Sequence, residues 1–165
     1  MIAMALILDP ALIIADEPTT ALDVTIQAQV FDLMRGMKSE DTSLLLITHD
    51  MGAIWEMCDR VAVMYASEIV ETGDLRAVFA NPMHPYTEAL LASIPSLTGR
   101  GERLETIKGQ VPSPLDYPGG CRFRDRCKYA FDRCAREHPP LREIKGRRGR
   151  CFLAHERENS KSECR

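Results

Sequence analysis

The first half of the chain alternates between short unbroken apolar runs and apolar residues at helical spacing. The runs at residues 12–15 and 44–47 predict two strands buried on both faces, as in a parallel sheet. Between them, the spacing predicts a helix from residue 24 to about residue 38, with Asp23 as its N-cap. Strands and helices that alternate in this order predict a parallel α/β core.

Shorter elements are predicted further along the chain. Asp50 is placed to cap a short helix, and residues 61–65 with residues 69–71 predict a hairpin. Asp74 opens another short helix, and Pro85 suits the first position of the helix after it, because proline is tolerated there.

The two ends of the chain differ in sequence pattern from the part between them. Residues 1–8 predict the end of a helix, which Pro10 closes through its effect on the residue before it. Prolines and paired glycines break up residues 98–165. We therefore expect a loop-rich segment there, held together by something other than a hydrophobic core.

Composition and charge divide the chain near Asn81. Residues 1–80 hold four Lys and Arg against thirteen Asp and Glu, whereas residues 81–165 hold seventeen against eleven. We therefore expect two structural units, residues 1–80 and residues 81–165. The basic residues lack interleaved aromatic side chains, so a solvated surface is favoured over nucleic-acid binding. No apolar run approaches the roughly 20 residues that span a bilayer, and we expect a cytoplasmic protein.

Acidic residues follow the first predicted strand directly. Asp16 and Glu17 stand at the end of a buried strand, where carboxylates are costly unless they serve a cation or a reaction. In phosphoryl-transfer ATPases such a strand end holds Mg²⁺ and positions the attacking water. The second predicted strand runs in the same way into Thr48, His49 and Asp50.

These segments together resemble the ATPase domain of ABC transporters. Residues 12–17 resemble a Walker B motif with its catalytic glutamate, residues 20–23 a D-loop, and residues 48–50 a switch-histidine motif. The resemblance implies that Asp16 supports Mg²⁺, that Glu17 orients the water attacking the γ-phosphate of ATP, and that His49 contacts this phosphate and holds Glu17. It also implies that Asp23 acts across the interface with a partner ATPase subunit. The ordinary alternatives are helix capping for Asp23 and Asp50, and a satisfied polar contact for His49.

Other motifs of that family do not occur in the sequence. The chain has no G-x-x-x-x-G-K-[ST] loop to cradle phosphate, no Q-loop and no LSGGQ-type motif. In the family all three lie on the N-terminal side of Walker B. The sequence is therefore expected to begin partway through the ATPase domain and to be inactive in ATP hydrolysis by itself.

A second resemblance begins at Asn81. The sequence NPMHPYT, followed by LL, S and IP, is similar to the segment that follows the ATPase domain in oligopeptide and dipeptide ABC importers. His84 in this segment is expected to have a structural role beside Tyr86. Cys58 lies on an apolar helical face and is expected to be buried, whereas Cys164 lies in a polar tail.

Four cysteines form a spaced set, C-x5-C-x6-C-x16-C: Cys121, Cys127, Cys134 and Cys151. Cytosolic disulfides are rare, so clustered cysteines favour a metal before crosslinks. Four thiolates suit tetrahedral Zn²⁺ or an iron–sulfur cluster, and His138 or His155 are further candidate ligands for a mixed site. Neighbouring arginines are expected to favour thiolates. The pattern resembles the cysteine module that ends peptide-importer ATPases, which implies a [4Fe-4S] cluster.

The sequence as a whole thus predicts an α/β fold: a partial P-loop NTPase sheet of the ABC ATPase type, followed by a small loop-rich Cys module. The resemblance implies an ATP-hydrolysing subunit, peripheral at the cytoplasmic face of the inner membrane, that drives import of di- or oligopeptides or of nickel. Its partners would be a second ATPase subunit, two permease subunits and, indirectly, an extracytoplasmic binding protein. Two alternatives remain: a truncated remnant without catalysis, and a Cys module that is itself a metal-dependent sensor or interaction domain.

Overall fold

A computed structural model of the chain describes residues 10–20, 22–36, 42–94 and 106–156. The chain divides into two compact units, residues 1–58 and residues 59–165. The helix end predicted for residues 1–8 lies outside the described residues, as does Cys164. None of the helices in the described ranges combines the length and the apolar character needed to cross a membrane.

The first unit is built on two parallel strands. Strands β1 (Leu12–Asp16) and β2 (Ser43–Ile47) pair in parallel with Ile14 opposite Leu45. Helix α1 (Val24–Gly36) connects them, and helix α2 (Met51–Met57) follows β2. This β–α–β order confirms the predicted strands, the connecting helix and the short helix after them.

One face of this two-stranded sheet is covered by the helices. Phe31 and Met34 of α1 and Ala53 of α2 are buried, and residues of both strands pack against them: Ala15, Leu44 and Leu46. The opposite face is open, with Ile14 61% and Leu45 48% exposed. The prediction that these strands are buried on both faces is therefore wrong for the described residues, because α1 and α2 cover only one side.

The second unit contains a four-stranded antiparallel sheet in the order β3-β4-β6-β5. Strands β3 (Arg60–Tyr65) and β4 (Glu68–Asp74) form the predicted hairpin, whose turn residues Ala66 and Ser67 both have positive φ. Strands β5 (Arg142–Ile144) and β6 (Arg147–Gly149) form a second hairpin that sequence patterns did not indicate. Each has three residues and a charged majority, so neither shows apolar alternation.

Short helices connect the parts of this unit. Helices α3 (Leu75–Ala80) and α4 (Pro85–Ala92) lie where Asp74 and Pro85 predicted them, and Asp74 caps α3 through the amide of Ala77. Residues 106–156 are loop-rich as expected, with a 3-10 turn (Arg124–Arg126), helix α5 (Asp132–Arg136), the β5–β6 hairpin and helical residues at 152–156.

An aromatic core joins this loop-rich segment to the sheet. Tyr65, Val70 and Phe123 are buried together, and the rings of Tyr65 and Phe123 meet edge to face at 5.1 Å. Phe152 is buried as well. Hydrophobic packing thus contributes to holding the segment, and the expectation of a further crosslink stays a prediction.

The boundary between the units also differs from the charge boundary near Asn81. Strand β4 lies before Asn81 in sequence, yet it pairs with β6, with Glu71 opposite Gly149. The break between compact units consequently falls between residues 58 and 59.

Candidate functional site

Glu17 and His49 lie just beyond the ends of the two parallel strands. Asp16 and Ile47, the last residues of β1 and β2, are register partners, and the backbone N–H of Glu17 donates to the carbonyl of Ile47 at 2.8 Å. Both strands therefore deliver the following residues to the same edge of the sheet. Ligands of open α/β sheets bind outside this carboxyl edge.

A side-chain hydrogen bond connects the two residues directly. Nδ1 of His49 lies 2.8 Å from Oε1 of Glu17. The second carboxylate oxygen, Oε2, accepts a hydrogen bond from Oγ1 of Thr20, also at 2.8 Å. Both oxygens of Glu17 are thus oriented by neighbours, and each keeps a further lone pair for another donor such as water.

The backbone at Glu17 adopts an unusual conformation. Its φ is 46°, in the left-handed region that a residue with a Cβ rarely adopts. Such a conformation costs on the order of 1 kcal/mol or more, and it recurs at functional sites. The turn that follows, in which the amide of Thr20 donates to the carbonyl of Glu17 at 3.2 Å, fixes the side chain toward His49.

The protonation behaviour of both residues favours the contact between Glu17 and His49. The hydrogen bonds from His49 and then Thr20 hold the pKa of Glu17 below its ordinary value, and the bond to Glu17 raises the pKa of His49. The His49 side chain is 83% exposed and that of Glu17 39% exposed. The pair is therefore an ionised carboxylate beside an imidazole, open to molecules from solution.

The other acidic residues have different surroundings. Asp16 is exposed at the end of β1. Asp23 caps α1, with its Oδ1 accepting from the amide of Ile26 at 2.9 Å. Asp50 caps α2 through the amides of Gly52 and Ala53. The ordinary alternative of helix capping thus holds for Asp23 and Asp50, whereas His49 contacts the residue that the resemblance assigns to it.

Gln27 is a residue of this edge that sequence patterns did not single out. Its Nε2 donates to Oδ2 of Asp50 at 2.8 Å, which joins α1 to the N-terminus of α2. Burial raises the pKa of Asp50, but the hydrogen bonds from Gln27, Ala53 and Gly52 outweigh it and the net shift is downward. A glutamine on an amphipathic helix carries no signal that distinguishes it from a solvated one.

The second unit gathers the spaced cysteines around one cavity. Its lining includes all four of them: Cys121, Cys127, Cys134 and Cys151. About 350 Å³ of space between the lining residues is free of atoms, part of it open to solvent. The backbone N–H of Cys121 donates to the carbonyl of Cys134 at 2.8 Å, which ties two of the ligand candidates together.

The glycine before Cys121 allows the backbones of Cys121 and Cys134 to lie close together. Gly120 has φ of 74°, and a Cβ at that position would lie 2.4 Å from the carbonyl oxygen of Cys134. A residue with a side chain would therefore have to move the Cys134 backbone away. The turn at Gly120 sets the spacing between Cys121 and Cys134.

Burial favours the protonated form of two of the four thiols, Cys121 and Cys127. Burial, with smaller contributions from neighbouring cysteines, raises the pKa of Cys121 to about 11, and burial also raises the pKa of Cys127. The expectation that arginines favour thiolates is therefore wrong for these two cysteines in the metal-free state. Binding of a metal would have to displace their protons.

The arginines near the cysteines donate to backbone carbonyls instead. Arg124 donates to the carbonyls of Gly119 and Ala135, and Arg150 to those of Ile69 and Pro139. The carbonyls of Gly119 and Pro139 lie outside the strands and helices, and the guanidinium groups supply donors that no ladder provides there. Arg124 also lines the cavity and places a positive charge beside it.

The cysteines do not form a site for a single ion. Among the described residues, no group of three or more His, Cys, Asp and Glu side chains is arranged to hold one metal ion. Tetrahedral Zn²⁺ would require sulfur atoms roughly 3.8 Å apart around one point. All four cysteines nevertheless line the same cavity.

Two histidines weighed as further ligands are engaged elsewhere. Nε2 of His138 lies 2.8 Å from Oε1 of Glu68, and Nε2 of His155 lies 3.0 Å from the carbonyl of Gly149. Neither residue is part of the cavity lining. Cys58 is half-buried in the other unit.

His84 has the structural role predicted for it and also lines the cysteine cavity. Its Nδ1 accepts the backbone N–H of Tyr86 at 3.0 Å and caps α4. Burial, and then the charge of Arg150, lowers the pKa of His84 to about 3. The imidazole is therefore neutral.

A buried carboxylate holds the segment that carries His84. Glu71 is fully buried, and its oxygens accept the backbone N–H groups of Met83 at 2.9 Å and His84 at 3.0 Å. Arg147 lies 3.7 Å away as the positive partner. Sequence patterns did not single out Glu71, although an acid placed inside a β-strand beside Val70 was the available signal.

Comparisons with known proteins give a consistent result. Residues 70–134 match the family model of the C-terminal region of oligopeptide/dipeptide transporters. The chain is 53% identical over 158 residues to the oligopeptide transport ATP-binding protein AppD of Bacillus subtilis, covering 94% of this chain and 48% of that protein. A putative peptide import ATP-binding protein of Brucella melitensis is 49% identical over 152 residues, covering 92% and 46%.

A third relative, a putative peptide import ATP-binding protein of Brucella ovis, is 51% identical over 159 residues, covering 92% of this chain and 47% of that protein. The chain thus spans about half the length of the curated relatives it matches. The resemblance inferred from the sequence motifs is confirmed.

Proposed function

Because the chain is similar along more than nine-tenths of its length to ATP-binding proteins of peptide importers, we propose that it supplies the hydrolytic edge of an ABC-type ATP site. The observation that carries this proposal is the 2.8 Å contact between His49 Nδ1 and Glu17 Oε1 at the carboxyl edge of two parallel strands. This contact joins the two residues to which the motif resemblance assigns catalysis.

Each residue has a role that its surroundings support. Glu17, ionised and oriented by two hydrogen bonds, would orient the water that attacks the γ-phosphate and accept its proton. His49 would hold Glu17 in place and contact the γ-phosphate. Asp16, exposed at the end of β1, would support Mg²⁺ directly or through water, because hard cations prefer oxygen ligands.

The remaining assignments follow from the motif resemblance. Asp23, in addition to capping α1, would act at the interface with a second ATPase subunit. Such a pair would work with two permease subunits, and indirectly with an extracytoplasmic binding protein, at the cytoplasmic face of the membrane. Import of oligopeptides or dipeptides would then be driven by ATP hydrolysis.

A chimera tests the catalytic assignment. Joining this chain to the unmatched portion of the Bacillus subtilis relative would supply a phosphate-binding loop, and the rate of Mg-ATP hydrolysis would be measured. We expect Glu17→Gln to lower turnover at least a hundredfold while ATP still binds. The matched control is Glu56→Gln, an exposed acid that pairs with Arg35. Full turnover in the Glu17→Gln chimera would show that the catalytic assignment is wrong.

A second candidate function concerns the cysteine cavity. The four thiols that line it are the residues that would hold a [4Fe-4S] cluster, the group that the motif resemblance implies. A cluster held there would crosslink the loop-rich segment and could carry one electron. Four cysteine side chains would hold it, with Arg124 beside it as a positive charge.

Anaerobic purification of the full chain tests this second proposal. Iron, sulfide and zinc would be assayed together with the visible absorption spectrum. We expect about four iron and four sulfide per chain, and less in Cys121→Ser, whereas Cys58→Ser should match the wild type. A colourless, metal-free protein with four reactive thiols would exclude both metals.

A further inference from the structure

Polar side chains join helices α1 and α2 at two places. At the start of α2, Nε2 of Gln27 donates to Oδ2 of Asp50 at 2.8 Å. About two turns further along α1, Arg35 donates to Oε1 of Glu56, near the end of α2. Asp50 directly follows His49 in sequence. The Gln27 contact therefore lies beside the candidate catalytic pair, whereas the Arg35 contact lies at the far end of α2.

The carboxylate of Asp50 has a different partner at each oxygen. Oδ1 accepts the backbone N–H groups of Gly52 at 2.8 Å and Ala53 at 3.3 Å, and so caps α2. Oδ2 accepts the hydrogen bond from Gln27. Because both oxygens are held, the carboxylate cannot rotate without breaking a hydrogen bond. Asp50 thus fixes the start of α2 to the side of α1.

The ring of His49 depends on this arrangement for its position. Its side chain is 83% exposed, and its Nδ1 lies 2.8 Å from Oε1 of Glu17. An exposed ring has few packing contacts, so its position follows from its hydrogen bond and from the main chain that carries it. The backbone N–H of Asp50 donates to Oγ1 of Thr48 at 3.1 Å, which ties together the residues on either side of His49. A displacement of Asp50 would therefore move His49 relative to Glu17.

Apolar packing between the helices lies further from the site. Phe31 and Met34 of α1 pack with Ala53 of α2. Hydrophobic contacts are not directional, so they tolerate small sliding movements of one helix along the other. A hydrogen bond to a carboxylate restricts both distance and angle, and the charge of its acceptor strengthens it. Gln27 thus supplies a directional contact close to His49.

We propose that Gln27 is a positioning residue for ATP hydrolysis: by holding Asp50, it keeps the imidazole of His49 in contact with the carboxylate of Glu17. The inference rests on the hydrolytic function proposed above for this pair. The role requires no contact between Gln27 and the nucleotide, because Gln27 acts through the main chain of Asp50 and His49.

Matched substitutions separate this role from general packing between the helices. Gln27→Met removes the donor and keeps an unbranched side chain of similar length. Arg35→Met breaks the contact at the far end of α2 in the same way and is the control. Gln27→Lys supplies a donor again, because an ammonium group donates hydrogen bonds and accepts none.

The first measurement is a nuclear magnetic resonance titration of His49 in the full chain. The hydrogen bond to Glu17 is the first cause of the raised His49 pKa, and the charge of Asp50 is the last. If Gln27→Met loosens the contact with Glu17, the pKa of His49 should fall toward 6.5. Arg35→Met should keep the wild-type pKa. A change that only weakened helix packing would leave the His49 pKa of the folded protein unaltered.

The second measurement is the hydrolysis of Mg-ATP by the chimera described above. In Gln27→Met we expect kcat to fall about tenfold while KM for Mg-ATP stays within about twofold, because the catalytic pair is displaced and the nucleotide still binds. Gln27→Lys should restore most of the lost kcat, and Arg35→Met should match the parent chimera. Added to His49→Ala, Gln27→Met should lower kcat by less than about twofold further, since its effect passes through His49.

The outcomes separate this inference from the function it rests on. A wild-type His49 pKa in folded Gln27→Met overturns the positioning role, and so does an equal loss of kcat in Gln27→Met and Arg35→Met. Full turnover in the Glu17→Gln chimera overturns the proposed function, whereas the His49 pKa still decides whether Gln27 holds the pair together. If amide exchange shows that Gln27→Met does not fold, Gln27→Ala takes its place, because it removes the donor and adds the strongest helix former.

Discussion

The imidazole of His49 lies 2.8 Å from the carboxylate of Glu17, although 32 positions separate the two residues in sequence. The contact exists because β1 and β2 are parallel and end in register, so that each strand delivers one member of the pair to the same edge. It follows that a measurement on either side chain should detect a change made at the other.

The first prediction is that Glu17→Gln lowers the pKa of His49. The hydrogen bond to Glu17 is the first cause of the raised His49 pKa, and its charge is the second. A neutral amide removes the charge, so the pKa should fall back toward the ordinary value of 6.5. Nuclear magnetic resonance titration of the His49 ring measures it. Glu56→Gln should leave the titration unchanged, and an unaltered His49 pKa in Glu17→Gln would show that the pair does not form in solution.

The Glu17–His49 pair makes the stability of the first unit depend on pH. The pKa of Glu17 is lowered from 4.5, so its stabilisation is present above that value and is lost as the pH falls through the folded pKa. The pKa of His49 is raised from 6.5, so its stabilisation is present below that value and is lost as the pH rises through the folded pKa. The pair should stabilise this unit most between about pH 4.5 and 6.5. Hydrogen exchange at Glu17 and Ile47, compared between wild type and Glu17→Gln across pH, measures the window.

A further prediction concerns Glu71, the buried carboxylate of β4. Glu71→Gln places an amide in a site where two backbone N–H groups converge, and only one of its two polar atoms can accept. We expect a loss of about 3 kcal/mol in the local free energy of unfolding, because the change breaks charge-assisted hydrogen bonds in a buried site.

Native-state hydrogen exchange of the β4 and β6 amides measures this loss. Glu143→Gln on β5 is the matched control, because Glu143 is exposed. Equal protection in both variants would mean that Glu71 does not hold the segment of Met83 and His84.

Gly119 and Gly120 provide another test, because they are adjacent but differ in the atoms that a methyl group at each position would contact. In Gly120→Ala the new Cβ would lie 2.4 Å from the carbonyl oxygen of Cys134 at a positive φ, whereas at Gly119 nothing lies within 4 Å. We expect Gly120→Ala to cost at least about 2 kcal/mol and Gly119→Ala less than about 1 kcal/mol.

Exchange of the Cys121 amide hydrogen, which donates to the Cys134 carbonyl, follows this change directly. The iron content after anaerobic reconstitution should fall in Gly120→Ala alone. Wild-type protection of Cys121 in Gly120→Ala would contradict the described turn.

The open face of the first sheet leads to a prediction about self-association. Ile14 and Leu45 are exposed on adjacent strands and present apolar surface to solvent. We expect the isolated chain to associate or aggregate as its concentration rises. In sedimentation velocity, Leu45→Lys should reduce this association, whereas Leu115→Lys should not, because Leu115 is 97% exposed in a loop of the other unit and is not part of this sheet. A wild-type monomer at every concentration would argue against the prediction.

Sequence patterns predicted the elements whose boundaries have a local chemical cause. Asp50 and Asp74 each specify a helix start by accepting amide hydrogens two or three positions away, and Pro85 does so through its fixed φ at the first helical position. The parallel pairing of β1 with β2 followed from the apolar runs and from the helix between them. The contact of Glu17 with His49 followed from the motif resemblance.

The same sequence patterns could not predict contacts between residues far apart in the chain. The three-residue strands β5 and β6 are recognisable only through their partner β4, because charged residues dominate their sequences. The exposure of Ile14 depends on which face of the sheet the helices cover, and an apolar run in the sequence does not indicate this. An acid inside a β-strand beside Val70 is also compatible with a solvated position, and the amides of Met83 and His84 distinguish Glu71 as a buried acceptor.

The pairing of β4 with β6 has a consequence during synthesis. Glu71 and Gly149 are register partners, so roughly 4 to 16 seconds of translation separate them at ordinary rates of synthesis. Throughout that interval β4 has only β3 beside it, and its other edge lacks a strand partner. A nascent chain would therefore expose a pairing-competent edge while still attached to the ribosome, which is the period when a holding chaperone would be needed.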